Sequence, residues 1–372
     1  MISNNPLVGV FVCITIGGIQ IMGFLYMTTQ QPTPVTEQTL IQDISAIISQ
    51  YRSGALAIAY DDAHVTRWIN QFDPHERMIV LEETKRLLRQ GYLSESTFDS
   101  FLDTLKPYFE NNRGTAWNNV SLLNIQQNGS SQNVMVNKLS ARIYEQYALT
   151  TKINDLSANV FIYLDDFIFS GNRVLRDTRD WIANSAPQSC SLVITTIGYF
   201  NYGQHYVQRK LNEAIVESGK NIQLNFLKFR GSDSKENRFY HKDNADVFWP
   251  MESARHVAGV TEFLAAQSRQ FSYRAPSTLS NTTFSSSRRE AYENIILKYG
   301  LQIIGYSQDP SRVLKPLGFD TFEGLGFGAT IFTYRNCPNN CPLVFWWGDP
   351  SAPAGTTLSR WYPLLQRETY AR

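Results

Sequence analysis

The chain has 372 residues, enough for one large domain or two modest ones. With 43% hydrophobic and 18% charged residues it holds the apolar material of a packed core, which excludes overall disorder. A formal charge of +1 supplies no global field toward nucleic acid or anionic membrane, and four cysteines in so long a chain exclude a disulfide scaffold.

The first feature in chain order is an uncharged apolar run from Leu7 to Met27, LVGVFVCITIGGIQIMGFLYM. Its length is that of a bilayer crossing. The uncharged start MISNNP and the lack of a small-x-small cleavage pattern argue against a secretory signal. Residues 1–38 are therefore expected to be an anchor and linker, a single N-terminal transmembrane helix over 7–27 tethering a cytoplasmic domain. A buried apolar segment is the other reading, and translation from Met22 or Met27 would leave a soluble protein. Lys and Arg are missing on both near flanks, so orientation is unspecified.

Residues 39–112 read as a helical lead-in. Trp68, Ile69, Phe72, Ile79, Leu81, Leu87 and Leu88 recur at a spacing of three to four, the period of one buried helix face. Asp73-Pro74 looks like an N-cap with proline at the first helical position. Gly91 looks like a helix end, and Ser94 opens the next helix.

Over residues 113–235 the rhythm changes. Strands are expected over 120–125, 158–164, 191–197 and 222–229, and helices over 131–147, 173–184 and 204–217. Strict alternation with short links implies an α/β domain, a parallel sheet flanked by helices. Ligands of such sheets sit at the carboxyl ends of the strands. Residues 236–372 read as an α+β C-terminal extension that completes the domain, with helices over about 252–270 and 288–300. Strands are expected over 328–334 and 342–347, around the turn Cys337-Pro-Asn-Asn-Cys341. That spacing invites a metal reading, but a tetrahedral site needs four ligands. His64, His75, His205, His241 and His256 are all scattered upstream, and two thiols at the edges of a turn explain the pattern as well. Trp346, Trp347, Trp361 and Tyr362 either form core or stack on a base. The sequence has no internal repeat, no G-x-x-x-x-G-K-[ST] loop and no G-x-G-x-x-G fingerprint.

Chemistry concentrates in VFIYLDDFIFSGN, residues 160–172. An apolar strand delivers Asp165 and Asp166 to its carboxyl end, a short loop follows, and a helix opens at Arg173. Loop and helix-start N–H groups would wrap a phosphate, aided by the helix dipole. Gly171 would let the backbone approach closely, and the Ser170 hydroxyl would donate to a phosphate oxygen. Strand alternation sends the two acids to opposite sides until the loop turns. One or both would accept from vicinal ribose hydroxyls or hold a magnesium shell. A Walker-B-type acid pair begins in the same way but lacks its phosphate loop here. A phosphoaspartate site normally lacks the Ser-Gly that follows, and a capped turn with no ligand remains a further reading. Gln126-Gln-Asn-Gly129-Ser-Ser-Gln132 also joins a strand to a helix. It is either an anion-binding loop, with Gly129, Ser130, Ser131 and Gln132 presenting donors, or a bare helix cap.

The acid segment resembles the site of the type I phosphoribosyltransferases, in which an apolar strand, two acids, an apolar pair and a small-Thr-Gly-x-Thr loop bind phosphoribosyl pyrophosphate (PRPP). Asp165 and Asp166 match the acids, Phe167-Ile168 the apolar pair, Ser170 the hydroxyl residue and Gly171 the glycine. Phe169 stands in place of a small residue and Arg173 in place of a second hydroxyl. With RWINQF…ERMIVLEETKRLL, SLLNIQQNGSSQ, CPNNCPLVFWW and RWYPLLQR, the chain is similar over most of residues 60–367 to the phosphoribosyltransferase-like domain of bacterial conflict (anti-phage) systems. The resemblance implies that Asp165 and Asp166 are catalytic, facing the ribose with magnesium. Phe169, Ser170, Gly171, Asn172 and Arg173 would hold the 5′-phosphate, and Gly129 to Gln132 the pyrophosphate. It implies either a magnesium-dependent transferase with an unidentified acceptor, or a non-catalytic PRPP or nucleotide sensor or scaffold acting through defence-system partner proteins. No single residue recommends itself as a general base.

Overall fold

A computed structural model describes the backbone of residues 8–16 and 19–27, and residues 35–56, 58–127, 131–229, 245–268, 270–276 and 282–367. The apolar run at the start does not form the expected helix. Val8–Ile16 (β1) and Ile19–Met27 (β2) pair antiparallel, with Val8 opposite Met27 and Ile16 opposite Ile19. β-Branched residues crowd the first segment, aromatic and β-branched residues recur in the second, and Gly17-Gly18 stands between them in the sequence, a dipeptide suited to a tight hairpin connection. Among the described residues, no helix is long and apolar enough to cross a membrane.

Three helices follow: α1 (Glu37–Ile48), α2 (Asp62–Ile69) and α3 (Arg77–Gly91). The Thr36 hydroxyl accepts from the Thr39 N–H, and the Thr39 hydroxyl from the Thr36 N–H, a reciprocal cap that fixes the start of α1. Asp73-Pro74 does not cap α3; a turn intervenes and the helix begins at Arg77. Asp73 instead pairs with Lys298 at 2.6 Å. The two-residue strand β3 (Tyr92–Leu93) leads to α4 (Glu95–Arg113), capped by the Ser94 hydroxyl on the Thr97 N–H at 3.2 Å.

The central sheet is five-stranded and wholly parallel. β4 (Val120–Leu123), β5 (Lys152–Ile153), β6 (Val160–Ile168), β7 (Ser189–Tyr199) and β8 (Asn221–Lys228) lie in the order β5-β4-β6-β7-β8. Their crossovers are α5 (Ser131–Tyr147), α6 (Asn172–Asn184) and α7 (Asn201–Ser218). Both faces are covered, which is why the strands read as unbroken apolar runs. On one face Phe98, Phe101 and Leu105 of α4 and Met135, Val136 and Leu139 of α5 pack on Ile162, Leu164 and Val193. On the other, Val174, Trp181 and Ile182 of α6 and Val207 and Leu211 of α7 pack on Phe161, Tyr163 and Ile194.

A second core joins the two ends of the described chain. It combines α1–α3 with α8 (Val260–Ala265), α9 (Arg289–Ile304) and the segment reaching Leu365. Trp68 Nε1 donates to the Val344 carbonyl at 2.9 Å, His64 bonds the Tyr362 hydroxyl and the Leu364 carbonyl, and Tyr51 donates to the Gln366 carbonyl. Inside it, the Glu293 carboxylate receives Arg289 Nε, Arg274 Nη2 and the Trp249 N–H. The two strands expected near the end are reduced to β9 (Phe332–Thr333), parallel to β3, and Leu343–Trp346 is a helical turn, α10. Trp346, Trp347 and Trp361 are buried in this core, with Trp346 Nε1 on the Cys341 carbonyl and Trp361 Nε1 on the Val344 carbonyl. They are packing residues, not base platforms. Cys337 and Cys341 are buried thiols, and burial and the neighbouring Cys337 push Cys341 well above the ordinary thiol range.

Candidate functional site

β6 runs further than its apolar run alone indicates, to Ile168, so Asp165 and Asp166 are still held in extended backbone, with Asp165 opposite Thr196 of β7. Alternation sends them apart. Phe161 and Tyr163 pack toward α6 and α7, while Ile162 and Leu164 pack toward α4 and α5. Asp165 follows the first set and Asp166 the second.

Asp165 is buried, and the hydrogen bond it accepts comes from the Asp166 N–H at 2.9 Å. Burial, and then the charge of Asp166, push its carboxyl up to about 7, while Arg173 and Arg335 pull the other way. Half-buried Asp166 accepts the Phe167 N–H at 2.7 Å through Oδ1 and Arg335 Nη2 at 2.8 Å through Oδ2. Beneath the pair, the Tyr163 hydroxyl donates to buried Asp177 at 3.3 Å.

The loop beyond the acids turns sharply. Gly171 sits at φ +82°, a left-handed conformation that disfavours any side chain, and a Cβ there would overlap Val207. Gly203, in the first turn of α7, lies so close to the loop that a Cβ would overlap the Phe169 carbonyl oxygen. The Phe169 ring joins Phe167, Phe200 and Phe327, at centroid distances of 5.2, 5.9 and 6.3 Å. The aromatic that replaces a small residue therefore bonds the loop to the second core. Among the described residues no side chain caps α6, whose first N–H groups lie beside Ser170, Asn172 and Arg173, the last two exposed.

The start of α5 comes to the same end of the sheet. Arg173 Nη1 donates to the Ser131 hydroxyl at 3.3 Å, and Arg335 Nη1 to the Ser131 carbonyl at 3.0 Å. Gln132 is buried; its Oε1 accepts the Ile125 and Gln126 N–H groups, while Gln126 Oε1 accepts the Gln132 N–H. That lattice leaves Gln132 Nε2 buried without a partner among the described residues. Gly129 and Ser130 lie outside the described residues.

Arg335 was invisible in the sequence, where it is one arginine in TYRNC with no motif around it. Its place follows from the β3–β9 pairing: the Tyr334 N–H donates to the Leu93 carbonyl at 2.9 Å, which sets Arg335 over the Phe98 ring at 4.8 Å. Two adjacent carboxylates, all-oxygen donors, one of them held uncomfortably in a buried place, are a donor set that fits a hard cation such as magnesium. Among the described residues, Asp73, His75 and Glu76 form a cluster with metal-ligand geometry, and there Lys298 already pairs with both acids.

No curated protein and no solved structure is significantly similar to the chain. A family model described as PRTase-CE matches residues 65–367, taking in the acid segment, the start of α5 and Arg335. The chain therefore belongs to the PRTase-CE family, a phosphoribosyltransferase-like family.

Proposed function

We propose that the end of β6 binds PRPP or a closely related phosphorylated ribose or nucleotide, with magnesium. The observation that carries this reading is the acid pair standing beside a helix start that no side chain caps, with the backbone turned at Gly171. The N–H groups at the start of α6, Ser170 and Arg173 would hold the 5′-phosphate. Asp165 and Asp166 would accept from the ribose hydroxyls, and Ser131 and Gln132 would face the pyrophosphate. Magnesium, when bound, would spread the negative charge of the pyrophosphate as it leaves. Positioning and charge stabilisation would then carry most of the catalysis, which suits a site with no evident general base.

A sensor that binds without transfer is the second reading. The pairing of Asp166 with Arg335 favours it, since that carboxylate is already engaged. The family resemblance alone supports a role in phage defence. Calorimetric titration of residues 35–372 with PRPP and magnesium, beside Asp165→Asn/Asp166→Asn, tests the site. Binding lost in the variant supports it, and no binding to the wild-type protein would sink it. Pyrophosphate release in the presence of candidate acceptors separates transferase from sensor.

A further inference from the structure

We infer that Arg335 is a positioning residue for the acid pair: the C-terminal segment supplies the guanidinium that sets Asp166 against the start of α5. The inference deepens the proposed PRPP reading and rests on it for its ligand.

An exposed arginine–carboxylate pair would carry little weight. This one is enclosed, with side chains 14% and 19% exposed. The guanidinium is fixed on three sides: Nη2 on Asp166, Nη1 on the Ser131 carbonyl, and its face on Phe98. Its backbone is pinned one residue earlier by the Tyr334–Leu93 hydrogen bond. A planar fork can serve a carboxylate and a carbonyl at once, and a lysine cannot do so with the same rigidity. Nε remains buried without a protein partner. Arg274 and Arg289 differ, since each places Nε on a protein oxygen and is spent on architecture.

Ser131 is bracketed from two directions, Arg335 on its carbonyl and Arg173 on its hydroxyl. Arg335 thus ties Asp166 to the start of α5, and Arg173 ties the start of α6 to the same residue.

The test uses the full chain as wild type, Arg335→Met and Arg335→Lys. PRPP–magnesium affinity is measured by calorimetry, and amide hydrogen exchange at the start of α5 and in the acid loop is followed without ligand. Arg335→Met is expected to weaken binding about ten- to a hundredfold, as loss of a supporting partner does, and to speed exchange in those two segments while the rest of the sheet stays protected. Arg335→Lys should restore part of the slow exchange and part of the binding. Unchanged exchange in folded Arg335→Met, or wild-type affinity in either variant, would overturn the inference. Faster exchange in Arg335→Met when the wild type never binds PRPP would overturn the proposed ligand and leave the positioning role standing. Should Arg335→Met fail to fold, the lysine variant carries the test, with partly retained slow exchange and weakened binding as the supporting result.

Discussion

Two buried carboxylates invite comparison: Glu293 in the second core and Asp165 at the end of β6. Glu293 is fully enclosed and spends both oxygens, on two arginines and a backbone N–H. Those arginines in turn donate to the Trp249 and Val247 carbonyls. Asp165 is almost as buried, yet it faces a second acid and accepts from its own neighbour's N–H. One carboxylate has been made comfortable by the fold, and the other has been left in a place that a cation or a sugar hydroxyl would relieve. Buried charge alone is therefore no sign of function; buried charge left poorly compensated is the better sign.

The largest expected effect breaks the comfortable side. Glu293→Ala leaves Arg274 and Arg289 buried without their shared anion and should cost about 3–5 kcal/mol of stability in urea unfolding. A loss under about 1 kcal/mol would mean that the triad is solvated in solution. Gly203→Ala comes next. Its Cβ must push the Phe169 carbonyl away, so a loss of about 1–3 kcal/mol is expected. Phosphate-ligand affinity should fall with it, because the loop before α6 moves.

Asp165→Asn acts with the opposite sign, and its effect shrinks to the smallest of the three at low pH. Folding raises the pKa of Asp165, so its contribution is fully present below the ordinary carboxylate range and is lost as pH rises through about 7. The amide carries no such loss. The variant should melt higher than wild type at pH 8, and the gap should narrow below pH 7 and close as pH falls to the ordinary carboxylate range. A gap independent of pH would show that Asp165 is not the group that titrates.

The sheet was legible because its signals are local. β4, β6 and β7 are apolar runs and the crossover helices are bounded by polar turns, so the α/β reading and the acid loop both follow from short windows, whereas the two-residue β5, Lys152–Ile153, left no such signal. The two ends were not legible for that reason. The runs at 328–334 and 342–347 are buried on all sides, and periodicity cannot tell a strand from a helical turn there. The opening run was long enough for a membrane helix, yet its β-branched residues form a paired hairpin. Trp346, Trp347 and Trp361 could not be assigned to core until α1–α3 were seen against them. Within the site, Ser131, Gln132 and the 165–173 segment were named from sequence and lie at one end of the sheet. Arg335 could not be found in the same way, because its partner is 169 residues away.

That separation has a consequence in time. Ribosomes add about 5–20 residues per second. The acid pair therefore emerges on the order of ten to thirty seconds before the arginine that answers it. For that interval a nascent sheet carries two adjacent acids with Arg173 nearby and no partner from the C-terminal segment. The last strand pairing, β3 with β9, is thus also the event that finishes the site, and a chain stalled before residue 335 would present the acid loop without ever completing it.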